Sequence, residues 1–256
     1  MRKISFFILA LLPVFLHAQF SETLSTDRPG QALGVNTVGK KTIQIQTGIN
    51  SNFMHDDLEN KYSTILSNTV IRIGLFERLE LNGLINWQND QMNINGESGS
   101  TSGISDTELG ARWNILENRG AIPSLGLQGS LLLKAQSPEY ARDKMGSRIV
   151  LATGNKINNW LSINTNLGVG WNGNGDAQSI YVLNFSMGIT DKLGAIAEVY
   201  GSFNEFDANF DAGIGYLLTN NLQIDLSAGW QGDNQMNDWF IDAGVSWRLN
   251  WRKETE

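Results

Sequence analysis

The sequence predicts an all-β protein, a closed antiparallel transmembrane β-barrel of about 12 strands. Three observations lead to this prediction. Segments of about ten residues alternate apolar and polar side chains, which is the length that a tilted membrane strand needs. Short and long connections alternate between these segments, and all 8 tryptophans lie near segment ends. A soluble sandwich has no physical reason to separate its connections in this way.

The clearest pair of segments lies between Thr69 and Gln88. Apolar residues recur at every second position from Leu79 onward, the period of a strand with one apolar face. With Phe76-Glu77-Arg78 as the connection, Leu75 pairs with Leu79 and both apolar faces lie on the same side. The register of this hairpin is therefore self-consistent.

The same period recurs along the rest of the chain. The predicted strands are 40–50, 62–76, 78–88, 105–115, 124–134, 147–155, 160–171, 179–190, 193–203, 209–218, 222–231 and 239–250, with the weakest pattern at 193–203. Short connections are expected at 76–78, 117–121, 155–159, 190–192 and 219–221, and long polar ones at 51–61, 89–103, 135–146, 172–178, 204–208 and 232–238. An even strand number returns the chain to its starting side, so both ends of the barrel chain are expected on the side of the short turns.

The tryptophans are predicted to form two aromatic girdles, because an amphipathic indole favours the boundary between lipid and water. Core tryptophans that happen to lie at strand ends are the alternative. One girdle lies beside the long loops and the other beside the short turns or the C-terminus: Trp87, Trp171, Trp230 and Trp239, then Trp113, Trp160, Trp247 and Trp251.

Residues 1–18 are predicted to be a signal peptide. A basic Met1-Arg2-Lys3 precedes an apolar run from Ile4 to Leu16, and cleavage is expected before Gln19. A membrane anchor is the alternative, but the run is shorter than the roughly 20 residues that a spanning helix needs. Residues 19–39 are predicted as a leader segment outside the sheet, periplasmic or a lumen plug: either a disordered tail or a segment in the barrel mouth. Residues 40–252 are the predicted barrel.

Composition excludes several function classes. The 256 residues contain no cysteine, which excludes disulfides and thiolate metal sites, and a net charge of -7 disfavours a nucleic-acid partner. We expect no cofactor and no metal. His55 is the one histidine after residue 18, so a catalytic set or a metal site would need it together with Asp56 and Asp57. A solvated acidic loop is the simpler interpretation, and we expect no enzyme.

Charged residues recur on the face opposite the apolar one, where we predict that they line the lumen. The earlier strands carry most of the basic residues and the later strands most of the acidic ones. These residues either form structural ion pairs, such as Arg72 with the diagonal Glu80, or set up a transverse field that orients solutes. The lumen-lining set is Arg72, Glu80, Glu108, Arg112, Arg148, Glu198, Asp211, Asp225, Asp242 and Arg248.

Two short motifs carry a family resemblance. The leader motif TDRP (Thr26, Asp27, Arg28 and Pro29), followed by NTVIRIGLFERLEL from Asn68 to Leu81, resembles the MetA-pathway of phenol degradation family of outer-membrane transporters. The resemblance implies a β-barrel in the cell outer membrane of a Gram-negative bacterium, with lipid and a small-molecule solute as partners.

Two functions follow from the sequence. The first is a porin-like passive channel or transporter for small solutes, small hydrophobic or aromatic compounds included. The alternative is a structural or surface-interaction barrel with a closed lumen. The sequence identifies neither the solute nor the oligomeric state.

Overall fold

The computed structural model describes residues 22–250 except 57–59, 121, 205 and 232–235. It contains one short 3₁₀ helix, Pro138–Tyr140, and otherwise strands and connections. No helix in the described part of the chain is long and apolar enough to span a membrane. The strands are β1 Thr42–Asp56, β2 Lys61–Phe76, β3 Leu79–Ile94, β4 Glu97–Leu116, β5 Ser124–Leu132, β6 Gly146–Lys156, β7 Leu161–Trp171, β8 Gln178–Gly188, β9 Leu193–Gly201, β10 Asn209–Thr219, β11 Leu222–Gln231 and β12 Met236–Asn250.

Each strand pairs with its neighbours in sequence, and β1 pairs with β12, so the sheet closes into an antiparallel barrel. The closing pair is in register from Thr42 opposite Asn250 to Asp56 opposite Met236. Closure pairs the first strand with the last, so neither end strand is left as an unpaired sheet edge. This confirms the predicted fold class and strand number.

The two faces of the sheet are inverted relative to a soluble protein. Outward-facing Leu81 and Leu167 are 45% and 48% exposed, whereas the inward-facing Arg72 and Glu80 are 1% and 0% exposed. An apolar exterior around a polar interior suits a barrel surrounded by lipid, since lipid does not penalise exposed leucine. The strand period observed in the sequence therefore corresponds to an outward and an inward face.

The hairpin of β2 and β3 keeps the predicted register, with Ile73 opposite Leu81, but its turn differs. A bulge between Gly74 and Phe76 places Phe76 opposite Leu79. The connection is consequently two residues long, and the predicted pairing of Leu75 with Leu79 is wrong. A Cβ atom at Gly74 would collide with the backbone of Gly39, so the glycine allows the chain to pass this point before entering β1.

The predicted long loops 51–61 and 89–103 are also wrong. Strand β3 extends to Ile94, and β4 begins at Glu97. Asn95 and Gly96 join them with φ angles of 52° and 86°, which is the backbone of a tight hairpin turn. The part of β4 that precedes Glu108 pairs with β3 but not with β5. The hairpin therefore protrudes past its neighbour. Residues 91–98 at its tip are exposed on both faces, so no apolar alternation is needed there.

Seven of the eight tryptophans of the predicted girdles lie in the described residues, and Trp251 lies outside them. Trp160 precedes β7, in a turn. Trp171 is partly buried, and Trp160, which lies outside the strands, is 56% exposed. The others lie on the outer face with 40% to 52% of their surface exposed: Trp87, Trp113, Trp230, Trp239 and Trp247.

Candidate functional site: a charged segment inside the lumen

Residues 22–39, here called the inner segment, run inside the barrel. At its start the Arg248 guanidinium donates hydrogen bonds to the carbonyl oxygens of Glu22 and Thr23 at 2.7 and 3.1 Å. At its end the Val38 amide donates to Glu80 Oε2 at 2.7 Å. Both ends therefore lie near the short turns, which we call the turn side. The opposite end of the barrel is the loop side.

Asp27 binds Arg72 and Arg112, here called the basic wall of the lumen. Its carboxylate accepts two hydrogen bonds from the Arg112 guanidinium, at 2.7 and 3.0 Å, and lies 3.6 Å from Arg72 Nη1. The Gly34 amide donates a further hydrogen bond at 2.7 Å. Burial by itself would raise the pKa of Asp27, but the charges and hydrogen bonds of Arg112 and Arg72 outweigh it and lower that pKa to about 2. The charged form is thus strongly favoured in this position.

Arg28 binds Asp225 and Asp242, here called the acidic wall. Its Nε donates to Asp225 Oδ1 at 3.1 Å, its Nη2 pairs with Asp242, and its Nη1 donates to Asn68 at 3.3 Å. The guanidinium lies over Gly48 and Gly244, which face each other across β1 and β12, and a Cβ atom at either position would collide with it. The charge pattern of the sequence did not predict this slot, although glycines inside strands are a known signal of a close approach.

Adjacent residues of the inner segment therefore bind oppositely charged parts of the barrel wall. Asp27 contacts Arg72 and Arg112 on β2 and β4, and Arg28 contacts Asp225 and Asp242 on β11 and β12. Strands β2 and β12 both flank β1 in the closed sheet. The two flanking motif residues also touch the barrel. Thr26 Oγ1 lies 2.8 Å from Ser246 Oγ, and Pro29 packs over Gly213, where a Cβ atom would be 3.0 Å away.

The other charged residues proposed to line the lumen divide into three groups. Arg72 forms an ion pair with Glu80 at 2.7 Å. Glu108 and Arg148 pair with each other and contact neither Asp27 nor Arg28 among the described ion pairs. Asp211 lies opposite Glu198 across β10 and β9.

Residues 30–33, here called the septum, lie against the inner faces of β7 and β9. The amides of Gln31 and Ala32 donate to the Glu198 carboxylate at 2.5 and 3.2 Å. Leu33 exchanges two hydrogen bonds with the Asn166 side chain, at 2.7 and 3.0 Å. Side chains of β7 and β9 thus satisfy backbone groups that have no strand partner. The sequence predicted Asn166 on an inward face but not its contact with the septum, since no charge or motif distinguishes it from other inward asparagines.

The inner segment divides the lumen into separate spaces. A cavity of about 510 Å³ opens on the turn side, beside Lys156 and Trp160. A second, of about 240 Å³, lies against the inner wall of β1 to β8. Ala32 and Leu33 line both cavities. A third cavity, of about 370 Å³, lies on the loop side and shares Gly30 and Gln31 with the second.

A loop also folds inward at the loop side. Tyr140 of the 3₁₀ helix donates its hydroxyl to Asp90 Oδ2 at 2.8 Å, and Arg142 pairs with Asp106 at 2.8 Å. A Cβ atom at Gly103 would lie 2.5 Å from Ser137, so this part of β4 accepts the loop through its missing side chain. The connection 133–145 therefore narrows the mouth of the barrel on the loop side.

His55 lies in β1 opposite Lys61 and is exposed, and Asp57 is outside the described residues. Over the described ranges of the chain, no three His, Asp or Glu side chains are grouped to hold a metal ion.

The fold and the lumen together define the class of the protein, a porin-like β-barrel of the outer-membrane type. The family described as "Putative MetA-pathway of phenol degradation" matches residues 26–249, and the chain belongs to that family. The match begins at Thr26, so it includes the charged dipeptide. No protein with a curated description matches the sequence.

Solved structures share the fold at low sequence identity. The COG4313 outer membrane channel from Pseudomonas putida F1 has a TM-score of 0.70 and 11% identity, covering 86% of this chain and 100% of that one. The KdgM porin in complex with disordered oligogalacturonate has a TM-score of 0.54 and 11% identity, covering 79% and 98%. The translocator domain of the autotransporter NalP from Neisseria meningitidis has a TM-score of 0.51 and 16% identity, covering 82% and 89%.

Proposed function

We propose that this protein is an outer-membrane channel for the passive passage of small solutes, hydrophobic and aromatic compounds included, and that the inner segment closes its lumen. The observation that carries the proposal is the position of Ala32 and Leu33, which line the cavities on both sides of the septum. Family membership and the shared fold with an outer-membrane channel support it.

Opening requires only a local movement in this proposal. The septum is held by four hydrogen bonds to Glu198 and Asn166. Such bonds contribute about 0.5–1.5 kcal/mol each when neutral and about 1.5–3 kcal/mol when charged. Displacing the septum therefore costs far less than disturbing the strand ladders of the barrel.

The membrane topology belongs to the same proposal. Residues 1–18 act as a signal peptide, the turn side faces the periplasm, and outer-membrane lipid contacts the outward apolar face. We assign no enzymatic activity and no nucleic-acid partner. N-terminal sequencing of the purified protein should begin at Gln19, and a first residue within 1–18 would contradict the cleavage proposal.

Single-channel recording in planar bilayers tests the channel proposal. Deleting residues 19–39 should raise the conductance, and Asn166→Ala should raise the open probability. Asn164→Ala is the matched control, because Asn164 is also on β7 and bonds to Asn184 and Ser186 at 2.8 and 3.0 Å, not to the septum. An unchanged, low conductance after the deletion would contradict a channel and favour the alternative, a structural or surface-interaction barrel with a closed lumen.

A further inference from the structure

The cavity of about 240 Å³ between the septum and the inner wall of β1 to β8 has apolar patches inside an otherwise polar lumen. Val70 and Leu84 lie opposite each other across β2 and β3. Val150, Ile180 and Val182 form a second patch on β6 and β8, in which Val150 and Val182 are 4% and 5% exposed. Inward apolar side chains gain nothing from a water-filled lumen, but they stabilise a bound apolar group.

The cavity concentrates basic side chains. Its lining contains four arginines, Arg28, Arg72, Arg112 and Arg148. Carboxylates already pair with the first three: Asp225 and Asp242 with Arg28, Glu80 with Arg72, and Asp27 with Arg112. An anion in the cavity would therefore depend on Arg148, whose described ion-pair partner is Glu108.

Among these arginines, Arg148 has hydrogen-bonding capacity to spare. The guanidinium groups of Arg28, Arg72 and Arg112 each donate to several partners in the inner segment and the walls. Among the described residues Arg148 donates a single hydrogen bond, from Nη2 to Glu108, and its side chain is 36% exposed. Its remaining N–H groups can bind a carboxylate.

Arg148 and the second apolar patch are close enough to bind one small molecule. Arg148 and Val150 are alternate inward residues of β6, about 7 Å apart along the strand. A dry cavity of about 150 Å³ can hold a benzene ring, so 240 Å³ has room for a ring with a carboxylate.

We propose that this cavity binds small monocarboxylates with an apolar body, such as benzoate, with the carboxylate on Arg148 and the ring against Val150, Ile180 and Val182. The proposal rests on the channel function in one respect, since it names a class of solute for the same lumen. Glu108 competes with the ligand for Arg148.

Calorimetric titration of the detergent-purified full chain tests this binding site. Benzoate should bind at least tenfold more tightly than neutral benzamide, and Arg148→Gln should remove that difference. Arg78→Gln is the matched control, since Arg78 pairs with Glu117 at 3.1 Å in the turn region, outside the cavity. Val182→Asn should weaken benzoate and leave acetate unchanged.

Glu108→Gln separates a binding role of Arg148 from a structural one. Removing the competing carboxylate should strengthen benzoate binding several-fold, whereas a purely structural ion pair predicts weaker folding and no gain in affinity. Absence of benzoate binding at millimolar concentration, equal affinity for benzamide, or a preference that survives Arg148→Gln would overturn the proposal. Calorimetry does not depend on conductance, so a failure here leaves the channel proposal standing, and a failure of the deletion experiment leaves this binding result interpretable.

Discussion

Neutralising Asp27 should release the inner segment from the basic wall. In Asp27→Asn the Arg112 guanidinium loses its two charged hydrogen bonds, and Arg72 loses a nearby carboxylate. The pKa of Asp27 is lowered from 3.8 to about 2, a difference that corresponds to about 2 kcal/mol of preference for the charged group in the docked segment. The ratio of docked to undocked segment should therefore fall roughly 30-fold.

Cysteine labelling measures this release directly. The chain contains no cysteine, so Val35→Cys introduces a single thiol at a position that is 6% exposed in the docked segment. A bulky maleimide should label this thiol roughly 30-fold faster when Asp27→Asn is added, provided that the segment redocks faster than it reacts.

Asp191→Asn, in an exposed turn between β8 and β9, should not change the labelling rate. Heat-modifiable gel mobility should show that each barrel is folded. A folded Asp27→Asn variant with a labelling rate within about twofold of its parent would show that the Asp27 ion pairs do not hold the segment, since about 2 kcal/mol predicts a much larger change.

Three further predictions concern pH, close packing and lipid contact. Because the pKa of Asp27 is lowered, the contribution of Asp27 to docking is complete above pH about 4 and is lost as the pH falls towards about 2. Conductance should therefore rise reversibly as the pH is lowered over this range. The rise should be smaller in Asp27→Asn. Gly48→Ala places a Cβ atom against the Arg28 guanidinium and should raise conductance. Gly129→Ala, whose Cβ atom would have no atom within 4 Å, should not. Equal effects of the two substitutions would contradict the close packing of Arg28 over Gly48. Leu81→Arg should destabilise folding into lipid vesicles by about 2–4 kcal/mol, measured by urea titration, while Leu81→Met is tolerated; tolerance of both would show that the outward face does not meet lipid.

Electrostatic matching accounts for how a short segment is held without strand pairing. Asp27 lies between the like charges of Arg72 and Arg112, and Arg28 lies between those of Asp225 and Asp242. Each residue of the dipeptide thus offsets the repulsion between two like charges of the barrel. A buried charge that loses its partner is costly. Of the two alternatives left open by the sequence, these contacts favour structural ion pairing for these residues, and a transverse field that orients solutes stays a prediction.

The sequence by itself determined the strands and their faces. The two-residue period is a local property, set by neighbours along the chain, so β11 was predicted at its observed bounds, Leu222–Gln231. The protruding ends of β3 and β4 were missed because water contacts both faces there and removes the pattern. The Asn95-Gly96 turn was the remaining local signal.

Only the tertiary structure decided what the lumen contains. The contact of Arg28 with Asp242 joins residues 214 positions apart, and that of Asp27 with Arg112 joins residues 85 apart. No local pattern encodes which inward side chain meets the inner segment, because this depends on barrel closure and on the path of residues 22–39. The same reason explains Asn166 and Arg148: the sequence placed both on inward faces, and only the closed barrel set one against the septum and left the other facing a cavity.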